Sequence, residues 1–218
     1  MTPETALREL ICDLAKSLFE RGLTSGASGN ISAQLPDGSI LVTPTGSSFR
    51  DLDPSRLSHI GSRGALLGGD APTKELALHT AFYETRGAQS GAVVHLHSTH
   101  SVAVSLLPNI DPDNVLPPLT AYSIMRLGKV KLLPFFRPGD PAMGQAVRGL
   151  AGKRSAVLLA NHGPVVAAKD LEAAVYAMEE LEESCKLLLL LEGKHPKLLT
   201  SEQVQEVVQH FHVEWDEK

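Results

Sequence analysis

The chain has 218 residues, of which 43% are hydrophobic, and a formal net charge of −5. A chain of this length can bury a sizeable core unaided, so we expect any bound metal to serve chemistry rather than folding. The acidic balance, without a stripe of lysine and arginine, excludes nucleic-acid binding but leaves room for a small anionic substrate. The longest purely apolar run, residues 187–191, is far shorter than the ~20 residues of a membrane span.

The N-terminus and the cysteines predict a cytoplasmic protein. Residues 1–4 do not begin a basic segment followed by an apolar one, so we expect no signal peptide. Cys12 and Cys185 lie in helix-like patterns, and we interpret both as reduced, buried thiols. The sequence shows no linker, repeat or low-complexity tract, so we expect residues 1–218 to form a single domain, although two small domains are possible.

The first half of the chain begins with a predicted helix. Residues 2–4 supply a capping hydroxyl, a first-turn proline and an acid, and apolar residues recur at helical spacing until Gly22. Small and turn-forming residues over 26–40 predict a loop, a short strand and a hairpin, followed by a strand over 40–43. A second helix is predicted over residues 73–85.

The second half alternates between strands and helices. Strands are predicted over residues 91–96 and 155–160, separated by a proline-rich segment that cannot be one regular element. The last strong element is a predicted helix that Asp170 caps and Gly193 ends, and a short terminal helix is predicted over residues 201–211. Strands between helices at both ends of the chain predict an α/β layered domain.

Histidines at the end of a predicted strand give the strongest chemical signal. His95 and His97 are two residues apart, so on a strand both imidazoles point to the same face. Imidazole is a common ligand of zinc, copper, iron and nickel. A third ligand could come from His100 or from His162, and spacing alone does not choose between them. We interpret the remaining histidines as surface or packing residues: His59, His79, His195, His210 and His212.

Other polar residues could complete such a site. Glu75 lies near a helix start, where an acid usually complements the helix dipole, but beside a metal it could be a ligand or a general base. Lys74 would usually be solvated, yet it could neutralise a substrate anion. Two turns of small residues, 25–30 and 43–47, could bind a phosphate through backbone N–H groups and hydroxyls, although such turns are common.

Five short motifs, covering nearly the whole chain, resemble the class II aldolase/adducin family in order and spacing. They are Ser28-Gly29-Asn30, Thr43-Pro44-Thr45-Gly46, Glu75, His95-Leu96-His97 and Asn161-His162-Gly163. The resemblance implies an α/β fold of the class II aldolase type, with three α/β/α layers and a largely antiparallel central sheet. It also implies a cyclic homotetramer with active sites at subunit interfaces.

The resemblance implies a role for each matching residue. His95, His97 and His162 would be the metal ligands. Glu75 would be the catalytic acid/base, and a fourth ligand when no substrate is bound. Tyr122 lies where fuculose-phosphate aldolases carry a proton-donating tyrosine that reaches into the neighbouring subunit. The residues around the substrate phosphate would be Asn30, Thr45, Gly46 and Thr73.

The segment before the catalytic acid departs from the sugar-phosphate aldolases, which usually carry two small hydroxyl residues where this chain has Thr73 and Lys74. Together with residues 127–128 and 136–141, it resembles the subgroup of 3-oxo-tetronate 4-phosphate decarboxylases. The implied activity is that of a metal-dependent carbon–carbon lyase. It would convert a 3-oxo-tetronate 4-phosphate to dihydroxyacetone phosphate and carbon dioxide through a metal-stabilised enediolate, with Lys74 binding or orienting the substrate carboxylate.

Three alternative functions remain open on the sequence. One is a class II aldolase for fuculose- or rhamnulose-type phosphates, and another is a ribulose-phosphate 4-epimerase, although epimerases of this family carry an aspartate where Glu75 stands. The third is an adducin-like interaction module, in which three converging imidazoles would have no purpose. The implied cofactor is a divalent metal, with zinc preferred and manganese, cobalt or iron as alternatives. We expect no nucleic-acid or membrane partner.

Overall fold

The structure, a computed structural model, describes residues 2–216. The strands within that range are β1 Asn30–Gln34, β2 Ile40–Val42, β3 Ser58–Ile60, β4 Leu66–Gly68, β5 Ala92–His95, β6 Lys131–Leu133, β7 Ala156–Leu159 and β8 Gly163–Ala168. The α-helices there are α1 Pro3–Glu20, α2 Leu76–Arg86, α3 Thr99–Ser105, α4 Ala121–Leu127, α5 Ala142–Gly149, α6 Leu171–Leu190 and α7 Ser201–Phe211.

The strands form one sheet in the order β4-β3-β2-β1-β5-β8-β7-β6. Every neighbouring pair is antiparallel except β6 and β7, which run parallel. This confirms the prediction of a largely antiparallel central sheet. Strand β5 lies between β1 and β8, so the strand that ends at His95 is central in the sheet.

Helices cover both faces of the sheet, which gives the predicted α/β/α layers. Side chains along β5 alternate between two apolar clusters: Val94 packs in the cluster that contains residues of α1 and α6, and Val93 packs in the cluster that contains residues of α2 and α5. All four residues of β5 are buried. Burial on both faces explains why this strand is a continuous apolar run up to His95.

The predicted helix ends agree closely with the structure at three places. The Thr2 hydroxyl caps α1 by accepting a hydrogen bond from the Thr5 backbone N–H at 3.2 Å. The Asp170 carboxylate caps α6 by accepting from the Ala173 N–H at 2.8 Å. Helix α7 spans the predicted residues 201–211 and begins with a capping box.

The predicted start of α2 is wrong, because the helix begins at Leu76 and not at residue 73. The preceding residues are held in an extended conformation by a bridge between Pro44 and Pro72 and by the Thr73 N–H, which donates to the Thr43 carbonyl at 3.3 Å. Glu75 therefore occupies the N-cap position of α2.

Two further predictions need adjustment. Strand β5 ends at His95, so His97 lies beyond the strand and not on it. Cys185 is buried as predicted, whereas Cys12 is only half-buried; both are free thiols. Burial raises the pKa of Cys12 to about 11 and the pKa of Cys185 to about 12, so neither is a thiolate at neutral pH. None of the helices within residues 2–216 is long and apolar enough to cross a membrane.

Candidate metal centre

Three imidazoles converge at one end of the central strands. The ring centroids of His95, His97 and His162 lie 4.7 to 5.0 Å apart, and their ligand atoms all fall within 4.8 Å of one another. The Nε2 atoms of His97 and His162 are 3.1 Å apart. His100 instead hydrogen-bonds through Nδ1 to the carboxylate of Glu182 at 2.8 Å, outside this cluster. The structure thus brings together the three histidines that the resemblance selected.

His95 is fully buried and is oriented by one backbone carbonyl. Its Nδ1 donates to the carbonyl of Pro164 at 2.8 Å, and the same carbonyl accepts the N–H of Leu96 at 3.2 Å. With the proton on Nδ1, Nε2 carries a free lone pair. This Nε2 atom is buried and has no hydrogen-bond partner among the described residues. A buried acceptor left in this way costs about 1–3 kcal/mol, which a bound cation would offset.

His162 lies in the tight turn between β7 and β8. Asn161, which precedes it, has a φ of +58°, in the left-handed region that asparagine tolerates better than most residues. The Asn161 N–H donates to the Ser105 hydroxyl at 3.1 Å, which ties the turn to the end of α3. Gly163 passes so close to the segment just after β5 that a β-carbon there would lie 2.2 Å from the Leu96 carbonyl oxygen. This glycine lets His162 approach His97.

Glu75 brings a carboxylate to the same place. It is 7% exposed, with Oε2 3.3 Å from His95 Nε2 and Oε1 3.5 Å from His162 Nε2. Ligands about 2.0–2.1 Å from a tetrahedral zinc ion lie roughly 3.3–3.4 Å from one another. The separations among Glu75, His95 and His162 therefore fit a single small cation shared by these side chains.

The protonation states favour cation binding as well. Burial lowers the pKa of His95 to about 3, and burial likewise lowers the pKa values of His97 and His162. Burial by itself would raise the pKa of Glu75, but His95 and the Asn30 hydrogen bond lower it below its ordinary value. At neutral pH the cluster holds three neutral imidazoles and one carboxylate, which are the forms that ligate metals.

A hydrogen-bonded chain of side chains supports Glu75, and sequence reasoning missed most of it. Asn30 Nδ2 donates to Glu75 Oε2 at 2.8 Å, and Asn30 Oδ1 lies 2.5 Å from His79 Nε2. Ser32 Oγ lies 2.7 Å from both His79 Nδ1 and the Tyr83 hydroxyl. His79, which we interpreted as a surface or packing residue, is fully buried beside the candidate site. One signal was available, because His79 follows Glu75 by four residues, about one helical turn.

Three of the predicted phosphate-binding residues lie in neighbouring segments. The bridge between Pro44 and Pro72 places the turn that holds Thr45 and Gly46 beside the segment that holds Thr73. The Thr45 N–H donates to the Ala71 carbonyl at 3.0 Å, and the Thr73 hydroxyl accepts from the Glu75 N–H at 3.3 Å. Asn30, the fourth residue of this set, directs its amide toward Glu75 and His79.

The other two predicted residues are exposed. Lys74 packs beside the loop after β6, so closely that a β-carbon on Gly139 would lie 3.1 Å from the Lys74 Cβ. Tyr122, in the first turn of α4, is 62% exposed. Within residues 2–216, no hydrogen bond or ion pair joins either side chain to the imidazole cluster.

The chain belongs to the class II aldolase and adducin N-terminal domain family, which matches residues 9–189. Class II aldolases depend on a metal, in agreement with the cluster of His95, His97 and His162.

Sequence similarity to curated relatives extends over almost the whole chain. The 3-oxo-tetronate 4-phosphate decarboxylase of Escherichia coli K12 is 46% identical over 204 residues, which cover 94% of this chain and 96% of the relative. The Haemophilus influenzae protein of the same name is 45% identical over 206 residues, covering 94% and 97%. The L-fuculose phosphate aldolase of Escherichia coli K12 is 30% identical over 209 residues, covering 94% of each chain.

Solved structures confirm the predicted class II aldolase-like fold. A crystal structure of YgbL from Escherichia coli, described as an aldolase/epimerase/decarboxylase, matches with a TM-score of 0.92 and 45% identity over 94% of this chain and 99% of that chain. An L-fuculose 1-phosphate aldolase matches with a TM-score of 0.84 and 25% identity, covering 97% and 98%.

Proposed function

We propose that this protein is a metal-dependent 3-oxo-tetronate 4-phosphate decarboxylase that forms dihydroxyacetone phosphate and carbon dioxide. The observation that carries the proposal is the convergence of His95, His97, His162 and Glu75 at separations that suit one cation. The substrate assignment rests on relatives 42–46% identical over most of the chain that carry this name.

We assign His95, His97 and His162 as the metal ligands, with Glu75 as a fourth when no substrate is bound. Zinc is the first choice for three imidazoles and a carboxylate, and manganese, cobalt or iron would suit the same donors. A bound divalent cation supplies a Lewis acid that stabilises negative charge on the substrate oxygens.

The substrate is a β-keto acid, so its carboxylate can leave as carbon dioxide. The bond between C1 and C2 breaks, and its electron pair moves toward the C3 carbonyl oxygen, which gives the enediolate of dihydroxyacetone phosphate. Protonation at C2 completes the product, and Glu75 or Tyr122 of a neighbouring subunit would donate that proton. The phosphate would bind at Thr45, Gly46 and Thr73, with Asn30 nearby.

The proposal extends to the assembly and its location. We propose that residues 1–218 form one domain and that four copies form a cyclic homotetramer. An exposed Tyr122 supports a site shared between subunits, because the hydroxyl is available to another chain. Free Cys12 and Cys185 support a reducing compartment, and hence a cytoplasmic location.

A product assay tests the activity. The purified protein is incubated separately with 3-oxo-tetronate 4-phosphate and with L-fuculose 1-phosphate, and carbon dioxide, dihydroxyacetone phosphate and aldehyde are measured. We expect carbon dioxide and dihydroxyacetone phosphate from the acid substrate, loss of both after treatment with a chelator, and recovery when a divalent metal is restored. Glu75→Gln is the matched inactive variant.

An aldolase is the second candidate, because relatives named L-fuculose phosphate aldolase are about 30% identical over 94% of the chain. Release of aldehyde from the fuculose substrate, without carbon dioxide from the acid, would replace the decarboxylase assignment with this one. Absence of both products from metal-loaded protein would contradict both assignments.

A further inference from the structure

A chain of buried hydrogen bonds leads from Glu75 into the layer between β1 and α2. Its members are Glu75, Asn30, His79, Ser32 and Tyr83. Asn30 and Ser32 lie two residues apart on β1, and His79 and Tyr83 lie four residues apart on α2. The four supporting side chains therefore come from two rigid elements packed face to face.

The donor and the acceptor of each hydrogen bond in this series of side chains can be assigned in turn, starting from Glu75. A carboxylate only accepts, so the Asn30 amide nitrogen must face Glu75 and its oxygen must face His79. His79 Nε2 must then carry the hydrogen that Asn30 accepts. A neutral imidazole has one N–H, so Nδ1 accepts from the Ser32 hydroxyl, and Ser32 in turn accepts from Tyr83. Burial lowers the pKa of His79 to about 4, which keeps the ring neutral at neutral pH.

The opposite orientation creates a conflict at Glu75. If Asn30 were flipped, its oxygen would lie 2.8 Å from the carboxylate oxygen Oε2, and two buried acceptors would face each other. The flipped amide nitrogen would donate to His79 Nε2, so Nε2 would have to be unprotonated and the imidazole hydrogen would lie on Nδ1. The tautomer of His79 and the orientation of Asn30 are thus linked.

We infer that His79 is a positioning residue that, through Asn30, fixes Oε2 of Glu75 and leaves Oε1 as the oxygen that exchanges a proton with the substrate. The inference rests on the proposed catalytic role of Glu75. Both carboxylate oxygens lie near the imidazole cluster, Oε2 at 3.3 Å from His95 Nε2 and Oε1 at 3.5 Å from His162 Nε2. They differ in that Oε2 accepts the Asn30 amide, whereas Oε1 accepts no hydrogen bond from the residues that the structure describes. His79 itself touches neither the substrate nor the cation.

The tautomer of His79 can be observed directly in the unmodified protein. Imidazole ¹⁵N–¹H correlation spectra of the metal-loaded protein, with His79→Gln to assign the signals, should show a hydrogen on Nε2 and none on Nδ1 of His79 at neutral pH. A hydrogen on Nδ1 alone, or on both nitrogens, would contradict the inference. The tautomer is read from the unmodified protein, and only the assignment of the signals uses a folded variant, which need not be active.

Two substitutions separate donation to Asn30 from the other contacts of His79. His79→Gln can place an amide N–H near the Nε2 position, whereas His79→Asn reaches only the Nδ1 position. We expect His79→Asn to lower kcat about tenfold or more, with KM changed less, since general acid–base catalysis contributes roughly 10²–10⁴-fold. His79→Gln should stay within about threefold of the unmodified protein, because donation to Asn30 is restored.

A matched control and a second readout complete the test. His59→Asn makes the same change at a histidine on β3, two strands away from β1, that hydrogen-bonds Ser39, and it should leave kcat unchanged. Competition with a chelator should show that His79→Asn weakens metal affinity by about 10–100-fold relative to His79→Gln, as expected when Asn30, the hydrogen-bond partner of the proposed ligand Glu75, loses its orientation.

The outcomes distinguish this inference from the proposed function. Equal kcat and equal metal affinity in His79→Asn and His79→Gln would overturn the positioning role even if decarboxylation is observed. If the unmodified protein lacks decarboxylase activity, the tautomer and the metal affinities still decide whether His79 positions Glu75.

Discussion

Lys74 is the residue at which the sequence predicted a departure from the sugar-phosphate aldolases. It stands directly before Glu75 and is exposed beside the loop that holds Gly139. A lysine ammonium here suits a substrate with a carboxylate, a group that fuculose 1-phosphate lacks. Substitution of Lys74 therefore tests whether the substrate carries a carboxylate.

Lys74→Ser should lower kcat/KM for 3-oxo-tetronate 4-phosphate about tenfold or more, because a hydrogen bond to a charged group contributes about 1.5–3 kcal/mol. Steady-state kinetics measure the effect. Lys169→Ser, at an exposed lysine after β8 and at the opposite end of that strand from His162, is the control and should leave the kinetics unchanged. Unaltered kinetics in Lys74→Ser would contradict the proposal that Lys74 binds or orients the substrate carboxylate.

At the residue scale, the sequence predicted the imidazole cluster but not its support. The spacing of His95 and His97 indicated a pair, and only the resemblance selected His162 over His100. Pairing of β5 with β1 on one side and β8 on the other brings these segments together, and local pattern does not encode that pairing. His79 was missed because a buried histidine on a helix has the same pattern as a packing residue.

Helix α3 connects the two segments that bear imidazoles. At its start, Glu182 of α6 accepts the His100 N–H at 2.9 Å, and its other oxygen accepts the Ser101 N–H and hydroxyl at 2.8 and 2.7 Å. At its end, Ser105 accepts the Asn161 N–H. Glu182 thereby anchors the short helix that follows His97 and supports the turn of His162.

Glu182→Gln should lower the melting temperature at neutral pH by roughly 3–10 °C, since hydrogen bonds to a buried charge contribute about 1.5–3 kcal/mol. Burial would raise the pKa of Glu182, but hydrogen bonds from Ser101 and His100 outweigh it and lower the pKa below 4.5. The stabilisation is therefore complete above pH 4.5 and is lost as the pH falls through the folded-state pKa.

Thermal melts at a series of pH values measure this dependence. The difference in melting temperature between the unmodified protein and Glu182→Gln should become smaller as the pH is lowered. Glu180→Gln, on the same helix, is the control with the opposite sign, because burial raises the pKa of Glu180 and its charge does not stabilise the fold. A difference for Glu182→Gln that stays constant with pH would refute the role of its charge.

At the element scale, long periodic segments were predicted well and short ones were not. Helices α1, α6 and α7 can be predicted from their capping residues and from the helical spacing of their apolar residues. Strand β8 was not predicted because Pro164, near its start, argues against a central strand. The start of α2 was placed too early, because only the bridge between the segments of Pro44 and Pro72 keeps residue 73 out of the helix.

The whole molecule offers a test of the proposed shared site. If Tyr122 serves the neighbouring subunit, Tyr122→Phe and Glu75→Gln chains should complement each other when mixed. Each site would draw its glutamate from one chain and its tyrosine from the next, so random reassembly at equal amounts restores about a quarter of the sites. Decarboxylase activity and sedimentation of the mixture provide the measurements.

The control is each variant reassembled with itself, which should remain nearly inactive. Activity of the mixture equal to the mean of the two separate variants would place Tyr122 and Glu75 in independent roles, or in the same chain. A monomer in sedimentation would contradict the proposed homotetramer.

The sheet order could not have been derived from local pattern. Periodicity predicted an α/β layered domain, and the antiparallel direction of the sheet came from the resemblance alone. The order places β1 beside β5 although three strands and an α-helix separate them in the sequence. Such non-local pairing depends on packing over the whole chain, which no short window contains.

The carbonyl of Pro164 links the folding of the sheet to the chemistry of the site. Because this oxygen accepts both from the His95 ring and from the Leu96 N–H, it marks the register of β5 against β8. A slip of one residue would turn the His95 ring to the other face of the sheet and remove its partner. Misaligned chains would consequently be unable to capture the cation, so metal uptake during refolding reports that these two strands have paired correctly.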